Sequence, residues 1–168
     1  MANSLPDVVA AALRVLDSYG LEFCSMRRVA AELDVQPSAL YHHVPNKQTL
    51  LALMADDLVS EVDGDDARSL CHALRRSMLA VRDGAEVVAT ASAFRLGVSG
   101  VEKQLADLVG DDGARTLLLF TFGHTQSTQT HRQASAVGAI DEDADLDASF
   151  DRGLSIILTG LTHRATCR

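Results

Sequence analysis

The chain has 168 residues, 47% of them hydrophobic and 23% charged, enough for one or two small cores. A net charge of −8 argues against a protein that coats nucleic acid regardless of sequence, and no apolar run is long enough to span a bilayer. The opening Met1-Ala2-Asn3-Ser4-Leu5-Pro6-Asp7 lacks the basic-then-apolar layout of a secretion signal, so a soluble cytoplasmic protein is expected.

Apolar residues recur at three- and four-residue spacing and alternating runs are absent, which predicts an all-α chain. A first helix is expected from Leu5 to Tyr19. Ser4 and Asp7 form a capping box at its start, Val9, Ala12, Leu13 and Leu16 make its apolar stripe, and Gly20 ends it. A second, capped by Ser25, is expected over Met26–Leu33, and a third over Pro37–Val44. A fourth follows Asn46 and reaches Val62, burying Leu50, Leu51, Met54 and Leu58. Beyond Gly64 the spacing predicts helices over Ala67–Asp83, Ala85–Arg95, Val101–Val109, Ala114–Arg132 and Ser149–Arg164. The run from Asp141 to Asp147 is expected to be an acidic loop.

Residues 25–44 carry the functional signal. Two short helices joined by a three-residue turn must cross closely, and Ala30 is small enough to allow it. The turn needs a left-handed residue four positions later. Asp34 stands there, one of the few types besides glycine that tolerates that conformation. Val29, Leu33, Val35 and Leu40 then form a small core. Ser38, Ala39, His42 and His43 are left outward on the third helix, with Tyr41 at its flank. Small residues let such a helix sink into the major groove, where hydroxyl and imidazole groups reach base edges or phosphates. Tyr41 and Lys47 suit phosphate contacts. Residues 1–50 hold Arg14, Arg27, Arg28 and Lys47 against Asp7, Asp17, Glu22, Glu32 and Asp34, so a nearly neutral head precedes an acidic body.

Residues 5–62 resemble the N-terminal domain of TetR-type bacterial regulators, above all in Leu40-Tyr41-His42-His43-Val44-Pro45-Asn46-Lys47. Arg82-Asp83-Gly84-Ala85-Glu86-Val87, Val101-Glu102-Lys103-Gln104-Leu105 and Phe150-Asp151-Arg152-Gly153-Leu154 are similar to the body of the tetracycline-repressor subgroup, whereas Gln133–Asp147 matches it poorly. The resemblance implies a helix-turn-helix domain over 1–47 and a helical ligand-binding and dimerisation domain over 48–168. It implies a homodimer that holds two reading helices about 34 Å apart on palindromic operator DNA. The implied DNA-contacting residues are Ser25, Arg27, Pro37, Ser38, Ala39, Tyr41, His42, His43 and Lys47.

In that subgroup an imidazole and several polar groups hold a magnesium–drug complex. Here Val88 stands at the imidazole position and Leu70 and Ala91 at polar ones, while Gln104 matches. The resemblance with these replacements implies a largely apolar effector, no metal and no cofactor, and a lining of Leu70, Leu74, Val88, Gln104 and Phe120. The long helix from Ala114 and the last helix are the expected dimer elements. The last one shows Phe150, Leu154, Ile157, Leu158 and Leu161 on one side, with Gly153 and Gly160 permitting close approach. His124 and His131 are seven residues apart, about 10.5 Å along a helix, too far for one ion. Cys24, Cys71 and Cys167 lack metal-ligand spacing and read as reduced thiols. Two rival readings are a body that binds a protein partner and a small helical enzyme. For the enzyme, the sequence offers no nucleophile elbow, phosphate loop or metal motif.

Overall fold

A computed structural model describes residues 3–166, and among these every regular element is a helix. α1 spans Leu5–Tyr19, α2 Met26–Glu32, α3 Pro37–Leu40 and α4 Lys47–Leu58. α5 spans Ala67–Leu79, α6 Gly84–Ala93, α7 Ser99–Ala136 and α8 Leu146–Thr166. Cys167 lies outside the described residues.

The chain divides into two compact units. The first joins Met1–Glu61 to Ser77–Val98, and the second joins Val62–Arg76 to Ser99–Arg168. Compactness therefore divides the chain differently from the boundary at 47/48 expected from sequence. α4 packs against α1 and α6 within the first unit.

In the first unit α1 opens with the expected capping box: Asp7 N–H donates to Ser4 Oγ, and Ser4 N–H donates to Asp7 Oδ2 at 2.8 Å. Val8, Ala11, Ala12, Val15 and Leu16 are buried along one face. Leu50, Met54 and Ala55 of α4 and Ala85, Val87 and Val88 of α6 complete the core. The turn before α6 reaches back to α1: Arg82 N–H donates to Asp17 Oδ1 at 3.1 Å, and Leu21 N–H donates to Asp83 Oδ2 at 2.8 Å. Gly84 has no room for a side chain, because a Cβ would stand 2.5 Å from the Met78 carbonyl oxygen.

In the second unit Leu70, Leu74, Leu105, Leu117, Phe150 and Leu154 are buried. Phe150 sits at the centre. Phe120 stacks on it at 5.4 Å, His72 and His124 meet it edge-on at 5.3 Å each, and the Arg75 guanidinium lies 4.8 Å from its ring centre.

Several elements differ from expectation. The third helix stops at Leu40 rather than Val44, and His43 and Val44 N–H groups close a turn back to the Leu40 carbonyl. Pro45 disfavours helical backbone at the residue before it. The two helices expected over Val101–Val109 and Ala114–Arg132, by contrast, are both present, divided at Gly110, whose φ of 75° and ψ of 165° lie outside the helical range. The acidic stretch does not stay free of structure. α8 begins at Leu146, Asp145 pairs with Arg152, and Asp147 pairs with Arg75 at 2.8 Å and Arg132 at 2.9 Å. Phe150 and Leu154, expected on a dimer face, are consumed by the chain's own core. Gly153 serves that core too, since a Cβ there would stand 2.5 Å from the Phe120 ring. On α8 Ile156 is 73% exposed, Ile157, Leu158 and Leu161 are half-buried, and Gly160 faces open space.

Candidate nucleic-acid interface

The Ser25 side chain caps α2 by accepting from Arg28 N–H at 3.3 Å. Val29 and Ala30 are fully buried, so the helices meet at a residue with no side chain beyond Cβ. The turn closes where Val35 N–H donates to the Ala30 carbonyl at 3.0 Å. Asp34 adopts the left-handed conformation with φ 53°, as the spacing requires. Its side chain is exposed, placing a carboxylate beside the reading segment.

Pro37 occupies the first turn of α3, where its missing N–H costs no hydrogen bond. Leu40 and Val44 are 1% and 0% exposed and anchor the segment from beneath. Ser38 and Ala39, before the first anchor, and Tyr41, His42 and His43, between the two, are all exposed. Tyr41 is 53% exposed, so its ring is not a core residue with only the hydroxyl outside. Asn46 caps α4 by accepting from Thr49 N–H at 2.8 Å, and half-buried Lys47 follows it. Arg27 is exposed on α2. The local fold thus leaves hydroxyl, imidazole, phenol and cationic groups outward along one short stretch, donors and acceptors suited to phosphates and base edges.

Sequence reasoning missed the flank of this surface. Arg28 lies 4.5 Å from the Tyr19 ring centre and 5.6 Å from that of Phe23, and both rings are about half exposed. Arg14 and Glu32 pair at 2.8 Å, fixing α1 against α2. The signal for the first contact was present: two aromatic residues bracket the Gly20 turn just before an arginine pair. Cys24 is buried beneath this region. Burial pushes its thiol pKa up, opposed by the Lys47 charge, so it is held as an unreactive thiol.

The residues expected to line an effector site are distributed unevenly. Leu70 and Leu74 are fully buried in the second unit, Phe120 is half-buried there, and Gln104 is exposed. Val88 is fully buried in the first unit. A surface groove of about 560 Å³ in the second unit is lined by Gly123, Gln126, Ser127, Thr130, His131, Ala134 and Ile140, none of them on that list. No group of three or more metal-ligating side chains occurs among the described residues. His124 bonds Ser149 and Thr128 instead, and His131 Nε2 accepts from Asp143 N–H at 3.1 Å.

Residues 8–54 match the family model for bacterial regulatory proteins of the tetR family. The chain is 31% identical to the Escherichia coli tetracycline repressor protein class A from transposon 1721, over 94% of this chain and 89% of that protein. Its fold is similar to the crystal structure of Mycobacterium smegmatis BioQ, with a TM-score of 0.88 and 36% identity over 95% of this chain and 97% of the other. It is also similar to BioQ bound to its double-stranded DNA operator, with a TM-score of 0.82 and 33% identity over 95% and 98% of the two chains. Fold and site together define a helix-turn-helix DNA-binding regulator of transcription. The chain belongs to the TetR family.

Proposed function

We propose that the protein is a homodimeric repressor that leaves a palindromic operator when a small, largely apolar effector binds its helical body. One observation carries the DNA-reading half: Ser38 and Ala39 before the buried Leu40, and Tyr41, His42 and His43 between Leu40 and the buried Val44, are all exposed, shortly after the left-handed turn at Asp34. Ser38 and Ala39 read base edges from α3, which Pro37 starts, His42 and His43 read them from the turn after it, and Arg27 reads from α2. Ser25, Tyr41 and Lys47 hold phosphates.

The dimer reading is supported by an unpartnered face on the second unit. Leu119 of α7 is 63% exposed and Ile156 of α8 is 73% exposed, and no atom lies within 4 Å of a Cβ at Gly123 or Gly160. Apolar side chains beside small residues suit helix-to-helix contact across a twofold axis. The effector reading is supported by Leu70, apolar and buried in the second unit where the resemblance implies a polar group. Leu70, Leu74 and Phe120, the apolar candidates of the second unit, favour a ligand with few hydrogen bonds. Within this reading the protein works in the cytoplasm, without cofactor, metal or enzymatic activity.

The test is selection of binding sequences from random duplex DNA, followed by two variants. Tyr41→Ala lowers affinity for all sequences by a similar factor, and His42→Ala changes the preferred sequence. Two variants indistinguishable from the parent protein would overturn the docking.

A further inference from the structure

The flank of the reading surface holds a cation whose nearest acid on its own helix is already taken. Arg28 and Glu32 stand four residues apart on α2, the spacing at which opposite charges pair along a helix. Glu32 instead bonds Arg14 of α1 at 2.8 Å. Among the described residues no carboxylate pairs with Arg28. Glu22, the acid of the loop before α2, is exposed and makes no ion pair with it. All of these residues belong to the first unit.

Aromatic rings hold the guanidinium in place of an acid. Its Cζ lies 4.5 Å from the ring centre of Tyr19, the last residue of α1, and 5.6 Å from that of Phe23 in the following loop. The rings are 49% and 53% exposed, and Arg28 is half-buried. A guanidinium meets an aromatic ring through charge and π cloud, without giving up its N–H donors. A carboxylate partner would have taken two of those donors at once. The contact therefore fixes where the charge stands and leaves its hydrogen bonding open. The backbone is fixed as well. Arg28 N–H donates to Ser25 Oγ at 3.3 Å, and Val29 beside it is fully buried.

We propose that Arg28 is a phosphate-binding residue of the operator interface, held ready by Tyr19 and Phe23, and that it extends the grip on the DNA backbone past the reading segment. This rests on α2 and α3 docking against duplex DNA. The ligand chemistry is phosphate, because a planar fork of donors matches two phosphate oxygens and the surrounding chain supplies no anion. The source is the duplex backbone, because Arg28 is tied to Ser25 and adjoins Arg27, both of which face DNA in that docking. A phosphate contact carries no sequence information. Arg28 thus adds affinity and salt dependence, while Arg27 and the segment after Gln36 select the sequence.

Fluorescence anisotropy of the full chain tests this, with one duplex taken from selection on random DNA and one of scrambled sequence, each titrated over a series of KCl concentrations. Arg28→Gln weakens binding to both duplexes by a similar factor, about fivefold at moderate salt, and lowers the slope of log affinity against log salt by about one for each head bound. The preferred sequence stays that of the parent protein. Phe23→Leu keeps the charge and removes a ring, so the salt slope holds while affinity falls about threefold. If Arg28→Gln fails to fold, Arg28→Met keeps a straight side chain against the rings and gives the same loss of slope. A parent-like salt slope in the variant lacking the charge would overturn the proposal, since a merely structural role leaves the number of phosphate contacts unchanged. So would an altered sequence preference. Tyr41→Ala is measured alongside. If it weakens binding while Arg28→Gln matches the parent, the docking stands and the role of Arg28 falls; if both match the parent, the docking falls with it.

Discussion

Asp34 shows how one residue serves two demands. Its left-handed backbone, φ 53°, is what the tight turn requires, and glycine would meet that requirement without steric cost. Asp34→Gly is therefore tolerated, within about 1 kcal/mol of the parent in thermal unfolding, since relief of strain and the greater freedom of unfolded glycine oppose each other. Asp34→Ala lacks both the freedom and the short polar group, and lowers stability by about 1 kcal/mol in the same measurement. Both substitutions remove an exposed negative charge near the DNA-facing segment, so operator affinity rises in Asp34→Gly, most visibly at low salt.

His124 makes a pH prediction with a definite sign. Burial, and then the nearby Arg75 charge, hold its pKa below the usual histidine value. The folded chain binds the proton less readily than the unfolded chain does. The stabilising contribution is then complete above the ordinary histidine pKa and is lost as pH falls through the folded value. The melting temperature of the protein falls on acidification below about pH 6.5, and His124→Gln flattens that part of the profile. An unchanged slope in the variant would show that another group controls it. Asp147 acts at lower pH. Partial burial opposes its ionisation, but bonds and charges from Arg75 and Arg132 outweigh this and keep its carboxyl below the usual range.

At the scale of elements, short helices survive because their ends are satisfied. α2 has a serine cap, α4 an asparagine cap, and α5 an aspartate cap in which Ser69 N–H donates to Asp66 Oδ1 at 2.7 Å. Isolated helices this short would not persist in water, so their packing on one another supplies the rest. The contact of α7 with α8 is made through Phe120 lying over Gly153. Gly153→Ala puts a methyl group into that ring and lowers stability by about 1–3 kcal/mol, measurable by urea denaturation, despite the better helix propensity of alanine. Gly160 has open space around it within the chain, so Gly160→Ala carries no such clash.

The same pair of glycines shows how far sequence carried the reading of elements. Their seven-residue spacing on one helix face was plain, and it suggested a common role in a dimer contact. Which partner each would meet was not legible, because that depends on where α7 lies. The expected span of α1 agrees with the observed Leu5–Tyr19, since cap, stripe and stop are all local signals. The early stop of α3 is also a local effect, written in Pro45. The pairing of Asp147 with Arg75 joins residues far apart in sequence, so charge patterning alone indicated an open loop there.

For the whole molecule, the prediction concerns assembly. If the unpartnered face with Leu119 and Ile156 joins two copies, Ile156→Glu puts charges against each other across the twofold axis. The variant sediments as a monomer and binds a palindromic operator at least tenfold more weakly, while each head still folds. A variant that remains dimeric would place the interface elsewhere. A dimer that forms through this face would also explain why apolar side chains remain uncovered in the single chain.

Much of the reading segment was legible in sequence alone, because its geometry depends on residues within one short stretch: a small crossing residue at Ala30, a left-handed turn at Asp34 and an apolar anchor at Leu40. Only the tertiary structure decided that α4 and α6 pack in one unit with α1, that α5 crosses the division between the units, and that Phe150 lies at the centre of the second core. Those outcomes arise from contacts between residues distant along the chain. Local propensity and periodicity say which face of a helix is buried, but not against what.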